Sequence, residues 1–121
     1  MQGKRLERVN QLIKEEISML LQRELKDPRL GFVTVTEVDV TPDLKHAKVY
    51  VSVLGAEAQW ASSLAALDSA RGFVWNWLRR HLDLRVTPEL AFRPDRSMEH
   101  AAHIQSLLAD LRGRGHEEEP P

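Results

Sequence analysis

With 121 residues, 42% of them hydrophobic, the chain fits one domain with a modest core, and its lack of cysteine excludes disulfides, thiolate nucleophiles and cysteine-ligated zinc. A formal net charge of −1 with 29% charged residues does not mark it in bulk as a nucleic-acid binder. No apolar run approaches the roughly 20 residues of a membrane span, and the start Met-Gln-Gly-Lys-Arg-Leu-Glu lacks the apolar core of a signal peptide, so a cytoplasmic protein is expected.

The charge is unevenly spread. Residues 1–30 carry seven Lys/Arg against five Asp/Glu, and residues 71–96 carry six against three, whereas residues 31–70 carry two against five. Two positive segments flank an acidic middle, and a local patch binds phosphate whatever the total. A solvated mixed-charge surface accounts for the same pattern.

From about Lys4 to Leu25, Leu6, Val9, Ile13, Ile17 and Leu20 step by three or four, with Leu12 and Leu21 widening the stripe. This predicts an amphipathic helix with one face on a core. Lys26-Asp27-Pro28-Arg29-Leu30-Gly31 ends it, since the residue before a proline leaves the helical region and Gly31 permits a left-handed turn. Phe32–Val40 is β-branched and strand-like, but its parity is mixed: Val33 and Val35 share one phase, Val38 and Val40 the other. Either a bulge lies near Thr36-Glu37, or Phe32, Thr34, Thr36, Val38 and Val40 face inward together. Thr41-Pro42-Asp43-Leu44 supplies turn chemistry, and Ala47, Val49, Val51 and Val53 then alternate cleanly with Lys48, Tyr50 and Ser52. The two strands predict an antiparallel hairpin, closed by Gly55.

A helical pattern follows from about Glu57 to Leu82, with Trp60, Leu64, Leu67, Val74, Trp77 and Leu78 on its stripe. Gly72 interrupts it, at a cost of about 1 kcal/mol relative to alanine. Arg71 stands beside it. The combination predicts a kink where an anion comes close; a kink needed only for packing is the alternative. Glu89–Arg93 reads as a short third strand bracketed by Pro88 and Pro94. Ser97 is a fair N-cap for a last helix with Ile104, Leu107, Leu108 and Leu111 on its apolar side. Residues 1–112 form the expected domain and 113–121 a solvated, disordered acidic tail. The order α-β-β-α-(kink)-α-β-α with a three-stranded sheet covered by helices on one face is α+β.

Catalytic constellations are scarce. There is no Gly-rich phosphate loop followed by Lys-Ser/Thr and no Gly-Xaa-Ser-Xaa-Gly elbow. His100 and His103 lie three apart, but zinc takes three or four ligands and only Glu99 is adjacent, so no metal or cofactor is expected. No acid, base and nucleophile converge, and the chain is not expected to be an enzyme. Arg71, Arg79, Arg80 and Arg85 flank the kink and the end of the second half-helix. Unpaired N–H groups at a restarted helix together with guanidinium forks describe a phosphate-backbone site. Trp60 and Trp77 fall on the core stripe; Trp75 lies off it, as a stacking platform, a partner contact or a core-edge residue.

Several motifs together resemble one family. Lys26-Asp27-Pro28-Arg29-Leu30-Gly31, Thr34-Val35-Thr36-Glu37-Val38, Thr41-Pro42-Asp43-Leu44, Ala47-Lys48-Val49-Tyr50-Val51, Ala70-Arg71-Gly72-Phe73, Pro88-Glu89-Leu90-Ala91-Phe92 and Asp95-Arg96-Ser97 look like bacterial ribosome-binding factor A, over roughly residues 3–111. The resemblance implies a KH-like (type II) domain. In it a helix–kink–helix with an Ala-Xaa-Gly centre, here Ala70, Arg71 and Gly72, replaces the Gly-Xaa-Xaa-Gly loop. It implies a non-catalytic assembly factor that binds free small (30S) ribosomal subunits, assists late maturation of 16S rRNA near its 5′-terminal helix, supports growth in the cold and is released with help from an assembly GTPase. A monomer is expected. Trp75 and Asn76 stand where family members often carry basic residues, as does Asp83, and Ala101 and His103 replace a frequent Gly and Arg. The expected phosphate contacts are Lys4, Arg5 and Arg8 on the first helix, Lys26 and Arg29 after it, and Arg71, Arg79, Arg80 and Arg85 around the kink. The rival expectation is a protein–protein interaction module without direct RNA contact.

Overall fold

The computed structural model describes residues 2–118; Met1 and residues 119–121, the end of the expected tail, lie outside it. Helix α1 (Gln2–Arg23) buries Ile13, Ile17, Leu20 and Leu21. Leu6 and Val9 are only half-buried, and Leu12, expected to widen the stripe, is 40% exposed: it sits one helical step off the face that meets the sheet. After α1 the chain turns through Asp27–Leu30. Gly31 is not left-handed, contrary to expectation; Gly55 is the glycine with positive φ, at 134°. Gly31 is used for proximity. Its N–H donates to the Ser63 hydroxyl at 2.9 Å, and an added Cβ would lie 3.3 Å from that oxygen.

Strands β1 (Phe32–Val40) and β2 (His46–Leu54) pair antiparallel, from Phe32 opposite Leu54 to Val40 opposite Ala47. The register shifts between Val35 and Glu37, which places a bulge at Thr36. That bulge resolves the mixed parity: Val35, Val38 and Val40 are buried together, while Phe32 is 73% exposed. Strand β3 (Glu89–Pro94) lies on the other side of β2 and runs parallel to it, from His46 opposite Glu89 to Val51 opposite Pro94. Parallel neighbours need a long crossover, and helices α2 (Glu57–Ser69) and α3 (Arg71–His81) supply it.

The helices cover one face: α1 packs on β1, α2 on β2 and β3, α3 on β3, and α1 meets α3. Ala47, Val49, Val51 and Leu90 from the sheet meet Leu67, Val74 and Leu78 from the crossover helices and Ile13, Ile17 and Leu20 from α1. The α1–α3 contact carries a polar tie, as the Trp77 indole N–H donates to Glu16 Oε1 at 2.8 Å. The expected α+β, KH-like order is what is observed.

Helix α4 (Ser97–Glu118) continues past Gly113. Ser97 is not its cap. The Arg96 carbonyl accepts from His100 N–H at 2.8 Å, and Asp95 Oδ1 accepts from Ser97 N–H at 2.9 Å, so the capping carboxylate comes from two residues earlier. Asp95 Oδ2 accepts from the Thr36 hydroxyl at 2.6 Å, tying the bulge to the start of α4. Arg96 pairs with both oxygens of Glu57, at 2.7 and 2.9 Å, and lies 4.1 Å over the Trp60 ring. Beyond this clamp α4 leaves the sheet, and its residues through Gly113 are exposed, including Ile104, Leu107, Leu108 and Leu111.

Candidate nucleic-acid interface

The break between α2 and α3 falls on Ala70, two residues before the glycine that predicted it. Ala70 has φ −89° and ψ 1°, in the sparsely allowed bridge region where few residues sit without a structural reason. Its N–H is shared between the Ala66 and Leu67 carbonyls at 3.0 and 3.1 Å, and its own carbonyl accepts from Val74 N–H at 2.9 Å. One residue thus ends one helix and begins the next. Helix α3 has no side-chain cap, and helix N-termini favour anions.

Gly72 lies in that first turn. Its φ is not positive, and a Cβ placed on it would meet nothing within 4 Å. Neither the backbone nor internal packing asks for glycine there. The space above it belongs to an open cleft lined by Lys45, Arg71, Gly72, Trp75, Asn76 and Thr87, and by the acids Asp68 and Glu89. Arg71 Nε is held 3.1 Å from Asp68 Oδ1 and 3.3 Å from the Asp68 carbonyl. Both side chains are exposed, so this ion pair is weak and exchangeable. Trp75 is half-buried: its indole N–H donates to Thr87 O at 3.2 Å, fixing the ring at the edge of the core beside β3, and the Arg79 guanidinium lies 5.7 Å from its ring centre. The side-chain amide of Asn76 donates to Gly72 O at 3.0 Å.

The other expected residues divide into groups. Arg5 and Arg85 line one cavity together with Leu6, Pro42, Leu44 and Val86, although eighty positions of chain separate them. Lys4 and Arg8, one helical turn apart, are exposed next to Arg5. Arg79 and Arg80 are exposed in the last turn of α3. Lys26 and Arg29 stand apart from all of these. They follow the far end of α1, whose 22 residues span about 33 Å. Arg29 is also already paired: its Nη2 and Nε meet Asp27 at 2.8 and 3.2 Å, and this pairing holds the Asp27 carboxyl below its ordinary value. Lys45 and Thr87 were missed by sequence reasoning. Each lies in a connection remote from the kink, and no spacing rule links them to it. No group of three or more metal-ligating side chains occurs among the described residues, and no helix is long and apolar enough to cross a membrane.

Comparison with known proteins places this geometry. The family model for ribosome-binding factor A matches residues 5–108. The chain belongs to the ribosome-binding factor A family. The ribosome-binding factor A of Desulfitobacterium hafniense (strain DCB-2) is 52% identical over 115 residues, covering 95% of this chain and 90% of the relative. That of Thermomicrobium roseum is 46% identical over 104 residues, covering 86% and 81%. Among solved structures, the crystal structure of ribosome-binding factor A from Thermus thermophilus superposes with a TM-score of 0.68 at 29% identity, covering 76% of this chain and 97% of that one. Coordinates of the T. thermophilus factor fitted into the cryo-EM map of a 30S–RbfA complex are similar with a TM-score of 0.60 at 31% identity, covering 71% and 90%. Ribosome-binding factor A is a family of non-catalytic assembly factors, and in this chain Ala70, Arg71 and Gly72 lie at the junction of α2 and α3.

Proposed function

We propose that this chain is a monomeric, cytoplasmic assembly factor that binds the free small ribosomal subunit and assists late maturation of 16S rRNA near its 5′-terminal helix, without catalysis of its own and with release helped by an assembly GTPase. Family membership supports the ribosomal role, and the T. thermophilus factor fitted into a 30S complex map supports the small subunit as the target. The observation that carries RNA contact at the kink is Gly72: it is surrounded by empty space, so the lack of a side chain serves something outside the chain. A phosphodiester that approaches this backbone meets the uncapped N–H groups of α3, with Arg71 and Lys45 on either side. In binding, Arg71 exchanges the weak pairing with Asp68 for phosphate oxygens, which its planar fork receives two at a time. Arg5, Arg85, Lys4 and Arg8 extend the positive track, and Arg79 and Arg80 border the helix end; Lys26 and Arg29 lie outside it.

Co-sedimentation across a salt series tests the reading. Neutralised phosphates release counterions, so the six cations of this track give a slope of log K against log salt of about −4 to −5. Binding to free small subunits with that slope, and little binding to joined ribosomes, is the expected outcome. Equal binding to both fractions, or to neither, overturns it. One observation favours the protein–protein module as a second reading: Ile104, Leu107, Leu108 and Leu111 form an exposed apolar stripe at helical spacing on α4. An interface built on that stripe survives added salt, so a slope near zero selects it.

A further inference from the structure

The cavity that joins the first turns of α1 to the β1–β2 turn and the α3–β3 connection is separate from the kink cleft, though Val86 lines both. Its volume is about 390 Å³, within the roughly 300–1,000 Å³ range of small-molecule sites. Leu6, Pro42, Leu44 and Val86 make its walls apolar, and Arg5 and Arg85 reach it from different elements. It holds one acid, Asp43. The Thr41 hydroxyl donates to Asp43 Oδ1 at 2.6 Å and the Lys45 N–H to the same oxygen at 3.0 Å. These bonds, with that from Thr41 first, hold the carboxyl below its ordinary value. Oδ2 has no protein donor among the described residues. An ionised carboxylate only accepts, so Asp43 offers one open acceptor beside an apolar wall.

The turn that presents it is strained. Leu44 has φ 63°, a left-handed conformation rare for a bulky residue. Its side chain packs against the core and its N–H donates to Thr41 O at 2.8 Å, which together hold the conformation in place. Such outliers gather where backbone geometry serves a ligand.

The combination narrows the occupant. An inorganic anion would use the arginines, leave the apolar walls idle and face a carboxylate. An acyl chain would use the walls and leave Asp43 without a donor. A nucleotide satisfies all three features: a flat apolar base face, an N–H edge and a phosphate. We propose that this cavity takes one unpaired nucleotide of an RNA strand bound at the kink, and prefers a base with an exocyclic amine (cytosine, adenine or guanine) over uracil. The proposal rests on the RNA-binding reading above and adds base selection to it. The base lies against Leu6, Leu44 and Val86, the amine donates to Asp43 Oδ2, and Arg5 and Arg85 take the flanking phosphates; uracil also carries a donor, N3–H, but the carbonyl oxygens on both sides of it repel the carboxylate. The path is continuous, because Lys45, next to Leu44, and Val86 both line the kink cleft.

Fluorescence anisotropy of the full chain with short oligocytidine and oligouridine tests this, with small-subunit co-sedimentation run beside it. A hydrogen bond to a charged acceptor corresponds to a preference of about tenfold for oligocytidine. Asp43→Asn keeps an oxygen for Thr41 and Lys45 and so keeps the turn, but its amide also donates to the uracil carbonyl, which brings the preference to within about twofold. Val86→Glu, at an exposed connection, weakens both oligonucleotides by a similar factor. Equal affinity of the wild type for the two oligonucleotides, no binding of either, a preference that survives Asp43→Asn, or unchanged affinity in Val86→Glu overturns the proposal. If the chain still sediments with small subunits in that case, the cavity assignment alone falls; if it does not, the RNA-binding reading falls as well.

Discussion

Substituting Gly72 separates a contact made by the ribosome from one made inside the fold. Glycine in a helix is less favourable than alanine by up to about 1 kcal/mol, and compatible Gly→Ala changes stabilise by about 0.4–1 kcal/mol. The backbone at Gly72 is compatible with alanine, and the added Cβ meets no atom within 4 Å. Gly72→Ala should therefore raise the unfolding midpoint, by roughly 2–6 °C for a domain of this size. The same methyl fills the space a phosphodiester needs. Overpacking of a close contact costs about 1–3 kcal/mol, so affinity for small subunits should fall about fivefold to a hundredfold. Gly72→Leu projects a larger side chain into the same cleft and should bind still less. Thermal melts followed by circular dichroism and co-sedimentation of the same preparations give both numbers. A loss of stability refutes the open-space reading of Gly72. Wild-type binding by both variants refutes the kink as the contact point.

Three further outcomes follow from the packing. Ser63→Ala removes the acceptor of Gly31 N–H inside the α1–β1 connection; urea unfolding should show a loss of about 1–2 kcal/mol with small-subunit binding unchanged at temperatures where the variant is folded. Arg96→Ala removes the guanidinium that joins Glu57 to the Trp60 face, so limited proteolysis should cut near the start of α4 sooner, while the sheet and its covering helices keep their melting behaviour. The Asp95 carboxyl is held below its ordinary value by Ser97 first and then by Thr36. Its contribution is therefore present above the unfolded-state value near pH 4 and is lost as pH falls through the lowered folded-state value; Asp95→Asn should flatten the acid limb of stability below about pH 4 and leave the curve near neutrality parallel to the wild type.

Much of the fold was legible because periodicity reports burial. The α1 stripe, the alternation in β2 and the short β3 each matched an element. The legible part stopped where a contact depends on a neighbour far along the chain. Mixed parity in β1 admitted two arrangements, and the choice of a bulge at Thr36 is tied to Asp95, near the other end of the domain. Gly31 looked like turn chemistry, whereas it makes room for Ser63, a fully buried serine that a helical pattern of small residues hides. Gly72 drew attention to the kink, yet the helix breaks at Ala70, and the backbone at Gly72 is an ordinary helical one that does not require glycine. Arg5, Arg85 and Arg71, expected as phosphate contacts, line cavities of the fold, but charge counts could not show that Arg29 is bound to Asp27 or that Lys45 lines the kink cleft.

The parallel pairing of β2 with β3 has a consequence for assembly of the domain itself. The hairpin of β1 and β2 closes across a short turn, whereas β3 joins only after the whole crossover from Gly55 to Pro88 has been gathered in. Loop closure of that length is paid before any β3 contact returns energy, so β3 is the natural late arrival in folding and the first strand to part from the sheet. The kink sits in the middle of that crossover. On the proposed RNA-binding reading, a strand lying across Gly72, Lys45 and Thr87 would touch the hairpin turn, the helix pair and the approach to β3 at once. If RNA binds as proposed, the bound partner would brace the seam between β2 and β3, and the site's grip and the seam's closure would be one equilibrium seen from two sides.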